Sequence, residues 1–214
     1  ERKINTFGVF GQTKMGALDL SGFAAMQKGF SHFSDGTKAR HNAWAANVLA
    51  KMKMGNGLAR TGFLFTSGNN SDSSIHGWQT LSSNNTSASQ NSYNESGMML
   101  LVRNTSMGGT SNDNYLRKPI TNIALLHMGY NANLTEKLYA NGNVGFAWIP
   151  ASDALYGATD TVGVTGAFTT AQTAKSRNGS DLLGTELNVE VGYKLYSNLT
   201  LKAQAAYVKL GGAY

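Results

Sequence analysis

Hydrophobic and polar positions alternate along the end of the chain. Leu187, Val189, Val191, Tyr193 and Leu195 fall on one parity; Glu186, Asn188, Glu190, Gly192 and Lys194 fall on the other. After a Ser197-Asn198 break, Leu199, Leu201, Ala203, Ala205 and Tyr207 share a parity opposite Thr200, Lys202 and Gln204. Successive side chains of a strand point to opposite faces, so this pattern predicts a hairpin with one apolar and one charged, polar face. About nine alternating residues per strand suffice to cross a bilayer when the strand is tilted. A transmembrane β-barrel wall is therefore expected, rather than a soluble sandwich.

Three earlier hairpins follow the same grammar. The first runs over about 4–29 and turns near Met15-Gly16; Leu18, Leu20, Gly22, Ala24 and Met26 oppose Asp19, Ser21 and Gln27. The second runs over about 42–67 and turns at Gly55-Asn56-Gly57, where Asn-Gly is a strong hairpin signal. Trp44, Ala46, Val48, Ala50, Met52 and Met54 form its apolar side, opposite Asn47, Lys51 and Lys53. The third spans about 122–149 and turns at Leu134-Thr135-Glu136. Ala124, Leu126, Met128 and Tyr130 oppose His127, Asn131 and Asn133, and then Leu138, Ala140, Val144, Phe146 and Trp148 oppose Asn141 and Asn143. Strand, turn and strand echo each other at Gly129-Tyr130 with Asn133-Leu134-Thr135 and at Gly192-Tyr193 with Asn198-Leu199-Thr200.

The segments between hairpins are polar: 31–41 is moderate, 68–119 is long and rich in Ser and Asn, and 150–183 is long and rich in Thr, Ala and Gly. Short turns on one side and long loops on the other match the asymmetry of outer-membrane barrels, with the turns periplasmic. Strand parity constrains 98–103. Were it a lone crossing strand, the hairpin beginning near Asn122 would turn on the wrong side. Segment 97–107 is accordingly placed within the external loop 68–119, as an apolar element that either folds into the lumen as a constriction or packs on the rim.

Composition narrows the class. The longest uninterrupted apolar run, 98–102, falls far short of the roughly twenty residues a membrane helix needs. Twenty-five glycines against two prolines suit long paired strands, because proline cannot donate to a ladder. With no cysteine there is no disulfide framework and no thiolate metal site. The net charge of +6 raises a nucleic-acid reading, but the basic residues are scattered and match no groove-reading fold. The chain opens on Glu1-Arg2-Lys3 directly into a strand pattern, without an apolar leader, so any signal peptide is expected to have been removed.

The strand opening His41-Asn42-Ala43-Trp44-Ala45-Ala46-Asn47 and Arg60 through Gly68 resemble the alginate-export-type and related porins of Gram-negative outer membranes. Gly184-Thr185-Glu186-Leu187-Asn188 and the Asn198-Leu199-Thr200 turn leading to Ala206-Tyr207 carry the rest of the likeness. The resemblance implies a passive pore of about sixteen to eighteen strands. This chain shows about eight, and 210–214 reads as the start of another loop rather than a closing strand. The expected fold is therefore all-β: an antiparallel up-and-down transmembrane barrel, one domain over 1–214, forming an arc from the C-terminal half of a larger wall.

Catalytic and metal constellations are weak. His32, His41, His76 and His127 lie on different elements, and ligation needs three or four converging donors. Glu186 and Glu190 share a face at roughly 13 Å, too far apart for glycosidase chemistry. Asp72, Ser73, Ser74 and His76 hold nucleophile and base chemistry, but a Ser/Asn-rich loop supplies such neighbours by composition alone. The sequon-like Asn84-Asn85-Thr86, Asn94-Glu95-Ser96 and Asn198-Leu199-Thr200 read as turn chemistry. Tyr139 and Tyr196 near the short turns, with Trp44, Trp148 and Tyr207 near the loops, suit interfacial girdles, although Tyr196 falls on the polar parity by strict count.

The expected function is passive diffusion of small hydrophilic solutes through a wetted lumen in the bacterial outer membrane, with no turnover, cofactor or metal. Expected surroundings are the lipid bilayer and lipopolysaccharide, with a homo-oligomer possible and no nucleic acid. The alternative is a structural barrel or adhesin-type surface protein, for example a sleeve for an electron-transfer partner; a barrel enzyme comes third. Candidate pore-lining residues are Asp19, Lys51, Lys53, Arg103, His127, Glu186, Glu190, Lys194 and Lys202. Four wall cations against three acids are nearly balanced, so the strands alone give no strong selectivity; weak anion preference is expected from Arg103, near a constriction if 97–107 folds inward.

Overall fold

All four expected hairpins form. The computed structural model describes residues 2–32, 36, 38–69, 74–79, 93–102, 121–151 and 180–213. Strands β1 (Arg2–Met15) and β2 (Leu18–His32) make the first hairpin; β3 (Lys38–Met54) and β4 (Gly57–Thr66) make the second. After a two-residue β5 (Ser74–Ile75) come β6 (Ile123–Asn133) with β7 (Leu138–Trp148), and β8 (Leu182–Tyr196) with β9 (Leu199–Leu210). The eight long strands join into one antiparallel meander in the order β1-β2-β3-β4-β6-β7-β8-β9. Its two ends, β1 and β9, are not paired to each other, so the sheet is an open arc. β5 runs parallel to β3 where β4 has already ended, with Arg40 opposite Ser74.

Turn chemistry fixes the register. Met54 pairs with Gly57, so the loop of the second hairpin is Gly55-Asn56 rather than Asn56-Gly57. Positive φ falls on Gly55 (57°), not on Asn56, which is the pattern of a type II′ turn with glycine first. The fourth hairpin carries a bulge: Lys194 faces Thr200 while Tyr196 faces Leu199, leaving Leu195 without a partner. One extra residue shifts the side-chain alternation by one. Tyr196 is thereby returned to the apolar side beside Leu199, which resolves its apparent misplacement on the polar parity.

The two faces are inverted relative to a soluble sheet. Leu187, Val189 and Tyr207 are 62%, 44% and 69% exposed, and Trp44, Val48, Phe63 and Met128 of the same face are exposed as well. The opposite face carries His41, Asn47, His127, Asn143, Glu186 and Asn188, all buried. Chain from the long connections covers it. Met98, Leu101 and Val102 pack onto Leu64, Ile123, Leu125, Ala147 and Leu183 in one buried cluster on that polar side. An apolar face left bare while charged residues are buried is the arrangement of a sheet whose outer solvent is lipid.

One girdle assignment is overturned. Tyr139 pairs with Asn133 and Gly192, which puts it on the polar face, and its hydroxyl donates to Glu190 Oε1 at 2.9 Å. Its parity with Asn141 and Asn143 already placed it there; ring type alone had suggested the interface.

Candidate pore-facing site

The polar face is built as rows of residues in register. One row reads Asp19, Lys51, Arg60, Gly129, Asn143 and Asn188 across β2, β3, β4, β6, β7 and β8. A two-residue turn after Met54 forces Lys51 and Arg60 opposite each other. Gly129 sits between Arg60 and Asn143 in this row, and a Cβ there would overlap the Asn143 amide. The missing side chain lets the Arg60 guanidinium reach across β6, where its Nη2 donates to Asn143 Oδ1 and, at 3.4 Å, to Asn141 Oδ1.

The network continues from there to a buried acid. Asn143 Nδ2 donates to Asn188 Oδ1 at 2.7 Å, and Asn188 Nδ2 donates to Glu186 Oε1 at 2.7 Å and to the Gly97 carbonyl at 3.0 Å. Glu186 is fully buried. Its carboxylate accepts three successive backbone N–H groups of the covering segment: Met99 at 2.6 Å, Leu100 at 3.0 Å and Leu101 at 2.7 Å. Charge-assisted bonds of this kind are about twice as strong as neutral ones, and three of them fix both position and orientation. Gly97 begins the segment with φ of 70°, a left-handed turn that also brings its backbone against Arg60 and Asn143.

A second anchor lies upstream. Tyr93 hydrogen-bonds to Asn47, and its hydroxyl lies 3.3 Å from His127 Nε2. Burial pushes the Tyr93 hydroxyl up to about 12, with Glu95 adding to the rise and the bond with Asn47 opposing it, so it stays protonated at neutral pH. Glu95 pairs with Lys51 at 3.2 Å, a half-exposed ion pair worth little by itself. Nearer the other end, Gln27 Nε2 donates to the Gln79 carbonyl at 2.8 Å while Gln79 N–H donates to Gln27 Oε1 at 2.9 Å.

The expected wall residues separate by exposure. Lys53, Lys194 and Lys202 are exposed, Lys51 and Asp19 are half-buried, and Glu190 is nearly buried between Tyr139, Gln204 and Lys202, the last at 3.8 Å. Two expectations of a wetted position change: His127 lies fully buried beneath Tyr93, and Glu186 lies beneath residues 99–101. Arg103, Asp72 and Ser73 lie outside the described residues. Sequence reasoning missed Arg60, Asn143, Asn188 and Tyr93. Counting back from the Gly55-Asn56 turn would have found Arg60 opposite Lys51, and strand parity already put Asn143 and Asn188 on the polar face; no local signal marks Tyr93. Among the described residues no cluster of histidine or carboxylate side chains could hold a metal ion.

A family model described as the porin subfamily matches residues 5–214. No curated protein sequence matches the chain. A crystal structure of OccK2 (OpdF) of Pseudomonas aeruginosa, in complex with glucuronate, is similar at 15% sequence identity and a TM-score of 0.46. The likeness covers 97% of this chain and 45% of that one, so this chain spans less than half the length of that protein. With strands of membrane-crossing length, an exposed apolar face and a family match over nearly its whole length, the chain belongs to the porin subfamily of the bacterial outer membrane.

Proposed function

We propose that this chain forms part of the wall of a water-filled channel for passive diffusion of small hydrophilic solutes. The observation that carries the reading is the inverted sheet, with lipid-suited residues bare on one face and Arg60, Lys51, Glu186 and Glu190 gathered on the other. Residues 93–102 lie on that polar face and would narrow the lumen, as part of the loop 68–119. Homo-oligomers and lipopolysaccharide contacts belong to the same proposal. So does the finer likeness to alginate-export-type porins, which would show as current block by oligo-uronates.

Selectivity follows from which charges stay wet. Glu186 and Glu190 are enclosed by partners, while Lys53, Lys194 and Lys202 remain exposed on the polar face. Exposed charge on a lumen wall tunes the ions that enter. The full-length protein in a planar bilayer is expected to give discrete conductance steps and, in a salt gradient, a reversal potential of weak anion preference. Lys53→Glu with Lys194→Glu should move that potential toward cations, and Arg103→Ala should reduce anion preference further. Absence of conductance from folded protein would defeat the channel and favour a structural or adhesin barrel. Clear cation selectivity in the unaltered protein would remove these lysines from the pore.

A further inference from the structure

Two aromatic rings stand bare on the polar side of the wall. On the polar parity of the eight long strands the aromatic residues, other than histidine, are Phe10, Phe23 and Tyr139. Tyr139 is held there by its bond to Glu190. Phe10 on β1 and Phe23 on β2 face each other in register, and they are 71% and 36% exposed. Leu64, Ile123 and Leu125, further along the same face, are buried under Met98, Leu101 and Val102. Among the described residues nothing covers the two rings in that way.

The pair belongs to a row that leads to the covering segment. Phe23 faces Asn47 on β3, and Asn47 donates to the Tyr93 hydroxyl. Neighbouring strands lie about 4.8 Å apart, so Phe10, Phe23 and the Asn47–Tyr93 pair step across roughly 10 Å of wall to the edge of segment 93–102. Toward the short turns, the next pair on this face is Gln12 with Ser21. The pair after that is Lys14 with Asp19, and Asp19 faces Lys51 in turn. Away from the turns come Gly8 and Ala25, too small to shield the rings. Aromatic surface beside a few placed polar groups is the composition of small-molecule sites.

We propose that Phe10 and Phe23 form a stacking platform for the pyranose rings of neutral carbohydrates, with Gln12 and Ser21 meeting the hydroxyl rim. Such a solute matches both parts of the surface. The face of an aromatic ring is negative, and the axial C–H bonds of a pyranose present a weakly positive, apolar face to it. The hydroxyls project sideways from the sugar ring, toward the Gln12–Ser21 pair. That nearest polar pair is uncharged, and the row beyond it alternates Lys14, Asp19 and Lys51, so net charge on the solute gains nothing here. The inference rests on the channel reading, since a water-filled lumen is what brings solute to these rings, and it goes further by naming the solute class.

Saturation-transfer NMR on the full-length protein, in a perdeuterated detergent without a sugar headgroup, reads contact independently of conductance. The probes are cellotriose, sorbitol and benzoate. Cellotriose is expected to receive saturation, most strongly at its axial C–H protons, while sorbitol, which has the hydroxyls without the ring, receives little. Its affinity should fall about fivefold in F10A and on the order of twentyfold in F10A/F23A; F10Y/F23Y, which keeps both rings, should stay within about twofold. Strand content and protease resistance report folding, and should the double variant fail to fold, F10A at the more exposed position carries the fivefold test. In a planar bilayer, cellotriose should cause transient current blocks that shorten in the same variants. Equal saturation of sorbitol, stronger binding of benzoate, or undiminished cellotriose binding in F10A overturns the inference. Conductance without cellotriose contact keeps the channel and overturns the platform; ring-dependent contact without conductance does the reverse.

Discussion

Replacing Val189 with arginine is expected to destabilise the folded protein in lipid by about 2–4 kcal/mol, the cost of a cation at the middle of a lipid-facing strand. Val189 lies near the midpoint of β8 and is already 44% exposed. In water, a charge at so exposed a site would shift stability by only about 0.5 kcal/mol. Urea unfolding from phosphatidylcholine vesicles measures the difference. Gly192→Ala is no substitute, because its added methyl would strike the Tyr139 ring on the other face. A near-neutral Val189→Arg would mean that lipid does not face the apolar parity.

Glu186→Ala should release residues 97–102 from the wall. It removes the acceptor of three buried N–H groups and leaves Asn188 bonded to Gly97 and Asn143 only. Each buried donor left unsatisfied costs about 1 kcal/mol or more. The docked arrangement therefore loses about 3 kcal/mol, and its population falls by about a hundredfold or more relative to the open one. The measurable results are faster proteolysis within 97–102 and, on the channel reading, higher and noisier conductance. Glu186→Gln keeps one acceptor oxygen and should fall between. Unchanged protease resistance in Glu186→Ala would show that packing of Met98, Leu101 and Val102 holds the segment unaided.

The strands were legible because two immiscible solvents act on them. Lipid on one side and polar groups on the other impose a period of two along most of each strand, which made all four hairpins readable. The pattern fails where that cause weakens. In β1 the first positions of the apolar parity are Lys3 and Asn5, so sequence reading started that strand late. At Leu195 the bulge breaks the count, which no local residue announces. The wall-to-loop network was illegible for a different reason. Glu186 is satisfied by backbone groups 85 to 87 residues away, and backbone N–H groups leave no signature in side-chain identity. Arg60, by contrast, was recoverable from turn geometry, and Tyr139 from parity alone.

Cysteine accessibility on the two faces of the wall tests the central claim most directly, because these 214 residues contain no cysteine, and any cysteine elsewhere in the full-length protein is first replaced. Single cysteines at Val189, Val191, Tyr193 and at Lys53, Lys194, Lys202, the exposed positions of the polar face, are introduced into the full-length protein in a planar bilayer and exposed to a charged, membrane-impermeant thiol reagent. Reaction and a stepwise change in current are expected at Lys53, Lys194 and Lys202, with the three positions of the apolar parity unreactive to the aqueous reagent and quenched by lipid-borne probes. Reactivity at Val189, Val191 and Tyr193 instead, or no alternation at all, would contradict a wall with lipid on its apolar face and water on its polar one.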